Sequence, residues 1–334
     1  MKKIFQTIFG SLTAVACGIA IAWGGSQVWH AVFPHGTGLF GSNVAGSAAA
    51  APATSGALPS GSTDQPVGAS YVSGMKRVIR YTADEEEDLI NQAALSLPAG
   101  SDSKISADAY LVEDLKTGAI AAEYDQERLL PIASLSKLVT AVVARRLIPA
   151  STEITITPAI MSTYGNTASF TAGETFTAGD LLYPLLMVSS NDAAEAYAQS
   201  YGRAKFLAAM NEFTQSIGAY RTTFKDPSGL SPQNESTAED LATIVNWIRA
   251  HDPEIMNVTE LKTKSVRGHF FVNPTHFLSW SYYLGGKNGY TDEADRTAIA
   301  LFALGANKDP YIVVVLGSSN RDADVIRLLA KVKY

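Results

Sequence analysis

One long segment near the start of this 334-residue chain carries no charged residue. After Lys2 and Lys3, no Asp, Glu, Lys or Arg occurs before Asp64. Residues 4–23 within it are apolar, and they match the ~20 residues that a membrane-spanning helix needs. Lysines on the N-terminal side favour a cytoplasmic N-terminus, with the remainder of the chain outside. We therefore expect residues 1–35 to be a signal-anchor in the cytoplasmic membrane.

Two other interpretations of this segment remain open. The small residues Ala14, Val15 and Ala16 resemble a signal-peptide cleavage site, although the apolar run continues beyond it. Lipidation at Cys17 is the third interpretation. All three place the folded part of the chain outside the cytoplasmic membrane.

The rest of the chain divides by composition. Residues 36–69 are dominated by Gly, Ala, Ser, Thr and Pro, so they cannot bury enough side chain to offset the entropy of ordering and are expected to form a flexible linker. Residues 70–103 form an N-terminal extension with an acidic, helix-like stretch. From residue 70 the composition is ordinary, and residues 104–334 are expected to form a folded domain.

Composition and missing motifs exclude several functions. The net charge of −6 argues against nucleic-acid binding, which needs a basic surface. A single cysteine excludes an intrachain disulfide and a cysteine-based zinc site. The sequence has no His-Glu-x-x-His, no Gly-x-Ser-x-Gly and no phosphate-binding Gly-x-x-x-x-Gly-Lys motif. We expect no metal and no cofactor.

Hydrophobic patterning predicts strands at both ends of the folded part and helices between them. The expected strands are 109–115, 119–124, 261–266, 284–290, 297–304 and 311–316, and the expected helices are 131–148, 180–187, 192–201, one starting at Ser236, and 322–331. Glu239, three residues after Ser236, suggests a capping box. This order predicts an α/β (α+β) fold with a mostly antiparallel sheet, flanking helices and an inserted helical region.

The apolar segment 131–148 contains a serine and a lysine one helical turn apart, Ser134 and Lys137. A lysine in an apolar helix is costly unless its charge is paired or its pKa is depressed. A depressed lysine beside a hydroxyl is what a Ser-Lys nucleophile pair requires. The pattern is common, however, and Ser101 with Lys104 also matches it.

Two further elements support a site around Ser134. Ser189-Ser190-Asn191 falls between two predicted helices, although Ser318-Ser319-Asn320 repeats the same Ser-x-Asn pattern. The glycine-rich segment 285–291 leads into a strand, where glycines let a substrate backbone approach closely and a lysine can attract a carboxylate.

Together these segments resemble the D-alanyl-D-alanine carboxypeptidases, the low-molecular-mass penicillin-binding proteins with the β-lactamase/DD-peptidase-like fold. The resemblance rests on residues 131–141, 180–194, 226–231 and 285–291, in that order, and it covers about residues 104–334. It implies peptidoglycan stem peptides as substrates and β-lactam antibiotics as acylating inhibitors.

The resemblance also implies roles for individual residues. Ser134 would attack the carbonyl between two D-alanines, and Lys137 would take its proton as general base. Ser189 would relay a proton to the leaving amine, Asn191 would hold the substrate amide, and Lys287 would attract the terminal carboxylate.

The end of the glycine-rich segment completes the implied site. Backbone N–H groups of Ser134 and Tyr290 would form an oxyanion hole. Gly289 follows Asn288, which stands where the family usually has a threonine whose hydroxyl helps to bind the carboxylate. An amide can still donate a hydrogen bond, but it is longer, so substrate preference is the property most affected.

Three other functions compete with the carboxypeptidase. A DD-endopeptidase would cut cross-links with the same machinery. A β-lactamase would need a positioned base, for which Glu235 and Glu239 are candidates, although the segment starting at Asp226 fits the peptidase pattern better. Asn288 motivates the third alternative, a non-catalytic muropeptide-binding protein.

Overall fold

The computed structural model describes residues 104–332. The predicted anchor (1–35), linker (36–69) and N-terminal extension (70–103) lie outside the described residues. Within residues 104–332, no helix combines the length and apolarity needed to cross a bilayer.

The described residues form eleven strands and eight α-helices. The strands are β1 (Ala109–Asp114), β2 (Ile120–Tyr124), β3 (Leu130–Pro131), β4 (Glu153–Thr155), β5 (Thr175–Thr177), β6 (Glu235–Ser236), β7 (Thr263–Val266), β8 (His269–Val272), β9 (Tyr283–Thr291), β10 (Asp295–Leu304) and β11 (Asp309–Ser318). The helices are α1 (Ser136–Leu147), α2 (Pro158–Met161), α3 (Ala178–Met187), α4 (Asn191–Tyr201), α5 (Arg203–Ser216), α6 (Ala238–His251), α7 (Glu254–Thr259) and α8 (Arg321–Leu329).

The main sheet is antiparallel and has the order β2-β1-β11-β10-β9. Its central strands β10 and β11 are nearly continuous apolar runs, because both faces of the sheet are covered. Helix α8 packs on β10 and β11, and α6 packs on β1 and β11. The beginning and the end of the described residues therefore share one sheet, and the segment between them forms the helical region.

Helix α1 is the centre of that helical region. Every residue from Ser136 to Ala144 is buried, and α3, α4, α5 and α7 all contact the helix. The prediction of a mostly antiparallel sheet with flanking helices and an inserted helical region is confirmed.

Two local predictions were wrong. Residues 131–148 do not form one helix: Pro131 ends β3, residues 133–135 form a 3₁₀ turn, and α1 begins at Ser136. Ser236 does not begin a helix, because it pairs with Leu130 in a short sheet. The cap of α6 is Thr237, whose hydroxyl accepts from the Asp240 amide.

Candidate active site

Ser134 lies on the 3₁₀ turn that leads into α1 and is half-buried. Ala133 before it has a φ of 49°, a left-handed conformation that costs a non-glycine residue free energy. Its carbonyl accepts a hydrogen bond from the Ser136 hydroxyl at 2.8 Å, and the carbonyl of Ile132 accepts one from Thr297 Oγ1 at 3.1 Å. These contacts hold the turn and project Ser134 from the start of the helix.

Lys137 is completely buried one turn further along. Its Nζ lies 2.9 Å from Ser134 Oγ, 2.7 Å from Asn191 Oδ1 and 2.6 Å from the Ser228 carbonyl oxygen. Burial holds the pKa of Lys137 well below its ordinary value, and the nearby charge of Lys287 lowers it further. An amine of this kind can take a proton from a neighbouring hydroxyl near neutral pH.

The carbonyl of Ser228 is positioned by a loop that wraps around one carboxylate. Asp226 accepts from the backbone amides of Ser228 and Gly229 at 2.7 Å and of Ser231 at 2.6 Å. Burial alone would raise the pKa of Asp226, but these hydrogen bonds outweigh it and hold the pKa below its ordinary value. A Cβ at Gly229 would lie 1.9 Å from the Ala133 carbonyl oxygen, so the loop can approach the Ser134 turn only with glycine there.

Asn191 connects Lys137 to a surface loop. It is the first residue of α4; its Oδ1 contacts Lys137, and its Nδ2 donates to the Tyr164 carbonyl at 2.7 Å. The Tyr164 side chain is 82% exposed. Asn191 thus links the buried lysine to the backbone of a loop whose tyrosine side chain is at the surface.

Ser189 precedes α4 in the turn that follows α3. It has a φ of 58°, another left-handed conformation in a non-glycine residue. Ser190 caps α4 by accepting from the Ala193 amide at 3.0 Å. Among residues 104–332, the hydrogen bonds of the Lys137 amine go to Ser134, Asn191 and Ser228, and none goes to Ser189.

Strand β9 passes directly beside the serine turn. A Cβ at Gly289 would lie 2.9 Å from the Ser134 amide nitrogen and 2.5 Å from Thr297 Oγ1. On the same strand Lys287 is nearly buried, and its Nζ donates to the Asn288 carbonyl at 2.8 Å. The Tyr290 side chain is exposed, and its hydroxyl donates to Asp292 at 3.0 Å.

Arg321 is a second cation at this strand, and the sequence analysis did not identify it. Its Nη1 donates to the Gly289 carbonyl at 3.0 Å. Burial lowers the pKa of Lys287 to about 7, and the Arg321 charge contributes to the shift. Arg321 follows the second Ser-x-Asn segment, but no pattern within the sequence connects it to β9.

The two repeated motifs differ in their surroundings. Ser318 donates to the buried Asp324 at 2.7 Å, and Asn320 caps α8. This copy of Ser-x-Asn therefore stabilises a helix start. Lys104 of the first Ser-x-x-Lys is exposed, while its serine lies outside the described residues. Residues 104–332 contain no cluster of three or more His, Cys, Asp or Glu that could hold a metal ion.

The fold and the buried Ser-Lys pair define the class of serine acyl-transfer proteins with a penicillin-binding, DD-peptidase-like fold. Residues 96–320 match the family described as D-alanyl-D-alanine carboxypeptidase. The chain therefore belongs to this family of serine peptidases.

Three relatives illustrate the match. The chain is 30% identical over 243 residues to the D-alanyl-D-alanine endopeptidase of Pseudomonas aeruginosa, covering 67% of this chain and 76% of the relative. It is 31% identical to the D-alanyl-D-alanine carboxypeptidase DacB2 of Mycobacterium tuberculosis, covering 60% and 72%. The structure of penicillin-binding protein D2 from Listeria monocytogenes in its cefotaxime-bound form has a TM-score of 0.62 at 25% identity, covering 70% and 99%.

Proposed function

We propose that the protein is a serine-type D-Ala-D-Ala carboxypeptidase that trims peptidoglycan stem peptides. The observation that carries this proposal is the 2.9 Å contact between Ser134 Oγ and the amine of Lys137, a buried lysine with a depressed pKa. Membership of the carboxypeptidase family supplies the substrate class.

In the first half of the reaction, Lys137 takes the Ser134 proton as the oxygen attacks the carbonyl between the two D-alanines. The tetrahedral oxyanion would be held by the backbone N–H groups of Ser134 and Tyr290, since β9 runs beside the serine turn. The C–N bond then breaks, and the departing D-alanine amine takes up, through Ser189, the proton that Lys137 had received from Ser134. The product is an ester on Ser134.

In the second half, water attacks the ester carbonyl and loses its proton to Lys137. The C–O bond to Ser134 breaks, and the serine oxygen takes from Lys137 the proton that water had given up. The shortened peptide leaves with a new carboxylate. Asn191 contacts Lys137 directly and would also hold the substrate amide during both steps.

The terminal carboxylate of the substrate would bind at β9. Lys287 and Arg321 provide two cations there, since the Arg321 guanidinium contacts the Gly289 carbonyl. Asn288 and Gly289 would line the same position. Because Asn288 replaces a hydroxyl with a longer amide, it adjusts which peptides bind well.

β-Lactam antibiotics would acylate the same serine. The Listeria relative named above was solved in its cefotaxime-bound form. In this protein, Ser134 would open the amide of the β-lactam ring, and the drug would stay attached to the serine as an ester.

A DD-endopeptidase is the second candidate. Relatives from Pseudomonas aeruginosa and Escherichia coli at 30% and 29% identity are both named D-alanyl-D-alanine endopeptidase. An endopeptidase cuts a cross-linked peptide and would release a larger amine than D-alanine. The same Ser134 acyl-enzyme would serve both reactions.

Neither Glu235 nor Glu239 supports the β-lactamase alternative. The Glu235 backbone pairs with Thr223 and Pro131, and Glu239 lies near Glu113 on β1, whose pKa is raised by burial and further by the Glu239 charge. The muropeptide-binding alternative is opposed by the intact contact between Ser134 and Lys137.

The test compares the full-length protein with Ser134→Ala and with Ser101→Ala, the serine of the repeated motif. Diacetyl-L-Lys-D-Ala-D-Ala is the substrate, and intact-mass analysis follows a penicillin adduct. We expect D-alanine release and a lasting adduct in the wild type and Ser101→Ala, and neither in Ser134→Ala. A folded wild type with no release and no adduct would support the binding protein, whereas drug destruction without an adduct would support the β-lactamase.

A cross-linked muropeptide dimer separates the two peptidases. Conversion of the dimer into monomers faster than release of D-alanine from the pentapeptide would identify an endopeptidase. The opposite order would identify a carboxypeptidase.

We further propose that residues 1–35 hold the protein in the cytoplasmic membrane, with residues 36–69 as a linker and residues 104–334 as the catalytic domain outside. The apolar, uncharged sequence of residues 4–23 supports this proposal. Membrane fractionation with protease treatment of intact spheroplasts tests it. If all of the protein is instead soluble and begins at a later residue, the N-terminal segment is a cleaved signal peptide.

A further inference from the structure

A second concave site lies at the edge of the main sheet formed by β1 and β2. The cleft has a volume of about 700 Å³. Its walls come from the segment before β1, from both strands of the hairpin, and from the beginning and end of α8. None of the residues assigned above to catalysis or to carboxylate binding lines it.

An aromatic pair forms one wall of this cleft. Tyr110 and Tyr124 face each other across β1 and β2, with ring centroids 5.8 Å apart and planes inclined by 26°. Tyr124 is 57% exposed. A flat, exposed aromatic face of this kind suits the apolar C–H face of a pyranose ring, while the phenol hydroxyl can bond to a sugar hydroxyl.

Positive charge is concentrated in the same cleft. Lys104, Arg128, Arg327 and Lys331 line it together with one carboxylate, that of Asp108, in a chain whose net charge is −6. Neither Lys104 nor Lys331 pairs with a carboxylate within residues 104–332. Arg128 has two loose carboxylate contacts, with Asp108 at 3.6 Å and Asp125 at 3.9 Å, and all three side chains are about half exposed. Lys104, Arg128 and Lys331 are positioned to meet an anionic ligand, whereas Arg327 is paired with Asp324.

The floor of the cleft is rigid. Asp324 is completely buried beneath it and accepts from the Ser106 backbone amide at 3.0 Å, the Ser106 hydroxyl at 2.7 Å and the Ser318 hydroxyl at 2.7 Å. Arg327 donates to the same carboxylate at 3.2 Å. This network ties the segment before β1 to α8, so the cleft keeps its shape without a ligand.

The cleft and the Ser-Lys site lie at opposite edges of the sheet. Strand β1 is separated from β9 by β11 and β10, a distance of roughly 14 Å at the usual spacing between strands. A D-Ala-D-Ala dipeptide spans only about 7 Å when extended, so one bound at Ser134 would not reach the cleft. A polymer that carries its peptide on a sugar chain can extend from one to the other.

We propose that this cleft binds a sugar of the glycan strand whose carboxylate is free because it carries no stem peptide, on the same strand as the sugar whose peptide lies at Ser134. The pyranose ring stacks on Tyr124, and its carboxylate lies among Lys104, Arg128 and Lys331. The identification of this ligand rests on the proposed function, because peptidoglycan is then the polymer that the enzyme meets.

The experiment measures binding without catalysis. The full-length Ser134→Ala protein, in detergent, is titrated into fluorescently labelled glycan strands freed of their stem peptides, which retain both rings and carboxylates. Tyr124→Ala and the double variant Lys104→Gln/Lys331→Gln are expected to weaken binding about three- to tenfold each. Added salt should weaken binding of the parent protein and have less effect on the double variant.

Matched controls separate the cleft from general charge. Lys205→Gln/Lys262→Gln removes the same charge from exposed lysines elsewhere and should leave binding unchanged. Equal weakening by both double variants, or undiminished binding by Tyr124→Ala, would overturn the proposal. A neutral chitin oligosaccharide that competes as well as the acidic strand would also overturn it.

The cleft variants are also tested in protein that retains Ser134. They should keep the wild-type rate on diacetyl-L-Lys-D-Ala-D-Ala, which has no sugar, and lose rate on peptidoglycan from which part of the stem peptides has been removed, since that substrate has both peptides and free sugar carboxylates. Failure of the wild type on the tripeptide would contradict the proposed function, while the glycan titration would still report on the cleft. A tripeptide rate reduced by Tyr124→Ala would contradict a separate site.

Discussion

The backbone of Gly289 lies so close to Ser134 that a single added carbon would reach the serine amide. A Cβ at position 289 would stand 2.9 Å from the Ser134 nitrogen and 2.5 Å from Thr297 Oγ1. Real Cβ atoms do not approach backbone or a fixed hydroxyl this closely. Strand β9 and the serine turn can therefore pack at this distance only because residue 289 has no side chain.

Gly289→Ala should move β9 away from Ser134 and disturb both proposed oxyanion donors. We expect kcat for D-alanine release to fall by about 10²–10³, the usual loss when such a donor is removed. Gly179→Ala is the control, because its Cβ would meet the Ala150 carbonyl oxygen at 3.4 Å, an ordinary contact. Equal activity in the two variants would argue against a close role for β9.

Asn191→Asp should shift the pH dependence of acylation. The new carboxylate would lie near Lys137 Nζ, which is 2.7 Å from Asn191 Oδ1, and an adjacent negative charge raises the pKa of an amine. We expect the acidic limb of kcat/KM to move upward by at least about one pH unit. An exposed asparagine, Asn257, provides the control Asn257→Asp. An unchanged acidic limb would indicate that Lys137 is not the titrating base.

Lys287 should make substrate affinity decline above neutral pH. Burial and the Arg321 charge lower its pKa to about 7, so the cationic form is lost as pH rises through that value. We expect KM for a peptide with a free terminal carboxylate to increase between pH 6 and 8. Lys287→Arg, which stays charged, should have a flat KM over this range. A rising KM in the arginine variant would locate carboxylate binding elsewhere.

Asn288→Thr tests the departure from the family pattern. A threonine hydroxyl is shorter than the amide and should approach the substrate carboxylate from the position beside Lys287. We expect kcat/KM to rise several-fold for a short D-Ala-D-Ala peptide and to change less for a cross-linked dimer. Parallel assays of both substrates measure the effect. A loss on both would show that the amide is itself required.

Asp192 should reduce stability as pH rises from about 4 to 6. It is completely buried, both carboxylate oxygens lack a hydrogen-bond partner among the described residues, and burial raises its pKa to about 6. The folded state therefore binds a proton that the unfolded chain has already lost, and the stabilising effect of that proton disappears over this range.

Asp192→Asn removes this dependence. The difference in unfolding free energy between the variant and the wild type is measured by urea unfolding at pH 4 and at pH 7. This difference should shift in favour of the variant by on the order of 1 kcal/mol from the lower pH to the higher. Glu212→Gln removes an exposed carboxylate and should give no such difference. A constant difference between Asp192→Asn and wild type at both pH values would mean that the Asp192 carboxyl does not titrate in the folded state.

Strands and buried helices with strong periodicity could be predicted from the sequence. The central strands β10 and β11 are apolar runs whose type does not depend on distant partners. Helix α5 was not predicted, although Phe206, Ala209, Met210 and Phe213 follow the helical i, i+3, i+4, i+7 pattern and are all buried. That stripe was the signal that could have identified it.

The first residue of a helix was harder to predict from the sequence, because it depends on contacts with residues that are distant in the chain. Ser236 and Thr237 are both good caps by residue type, and the choice falls on Thr237 because Ser236 pairs with Leu130. In the same way, the left-handed Ala133 breaks a run that sequence alone predicts as one helix.

The candidate site shows the same division. The proximity of Ser134 to Lys137 follows from their spacing, whereas the contact with Asn191 depends on how α1 and α4 pack. Arg321 reaches β9 from a helix 32 residues away in the chain, and the Ser228 carbonyl reaches Lys137 across 91 residues. Such contacts arise from the tertiary fold and leave no local pattern.

The three oxygens around Lys137 also determine the direction of proton transfer. An ammonium group has three hydrogens, one for each of Ser134, Asn191 and Ser228, but the neutral amine has two hydrogens and a lone pair. The Asn191 and Ser228 oxygens can only accept, so they take the two hydrogens. The lone pair is left facing the one partner that can donate, the Ser134 hydroxyl. Deprotonation of the lysine thus orients its basic electron pair toward the nucleophile without any movement of the side chain.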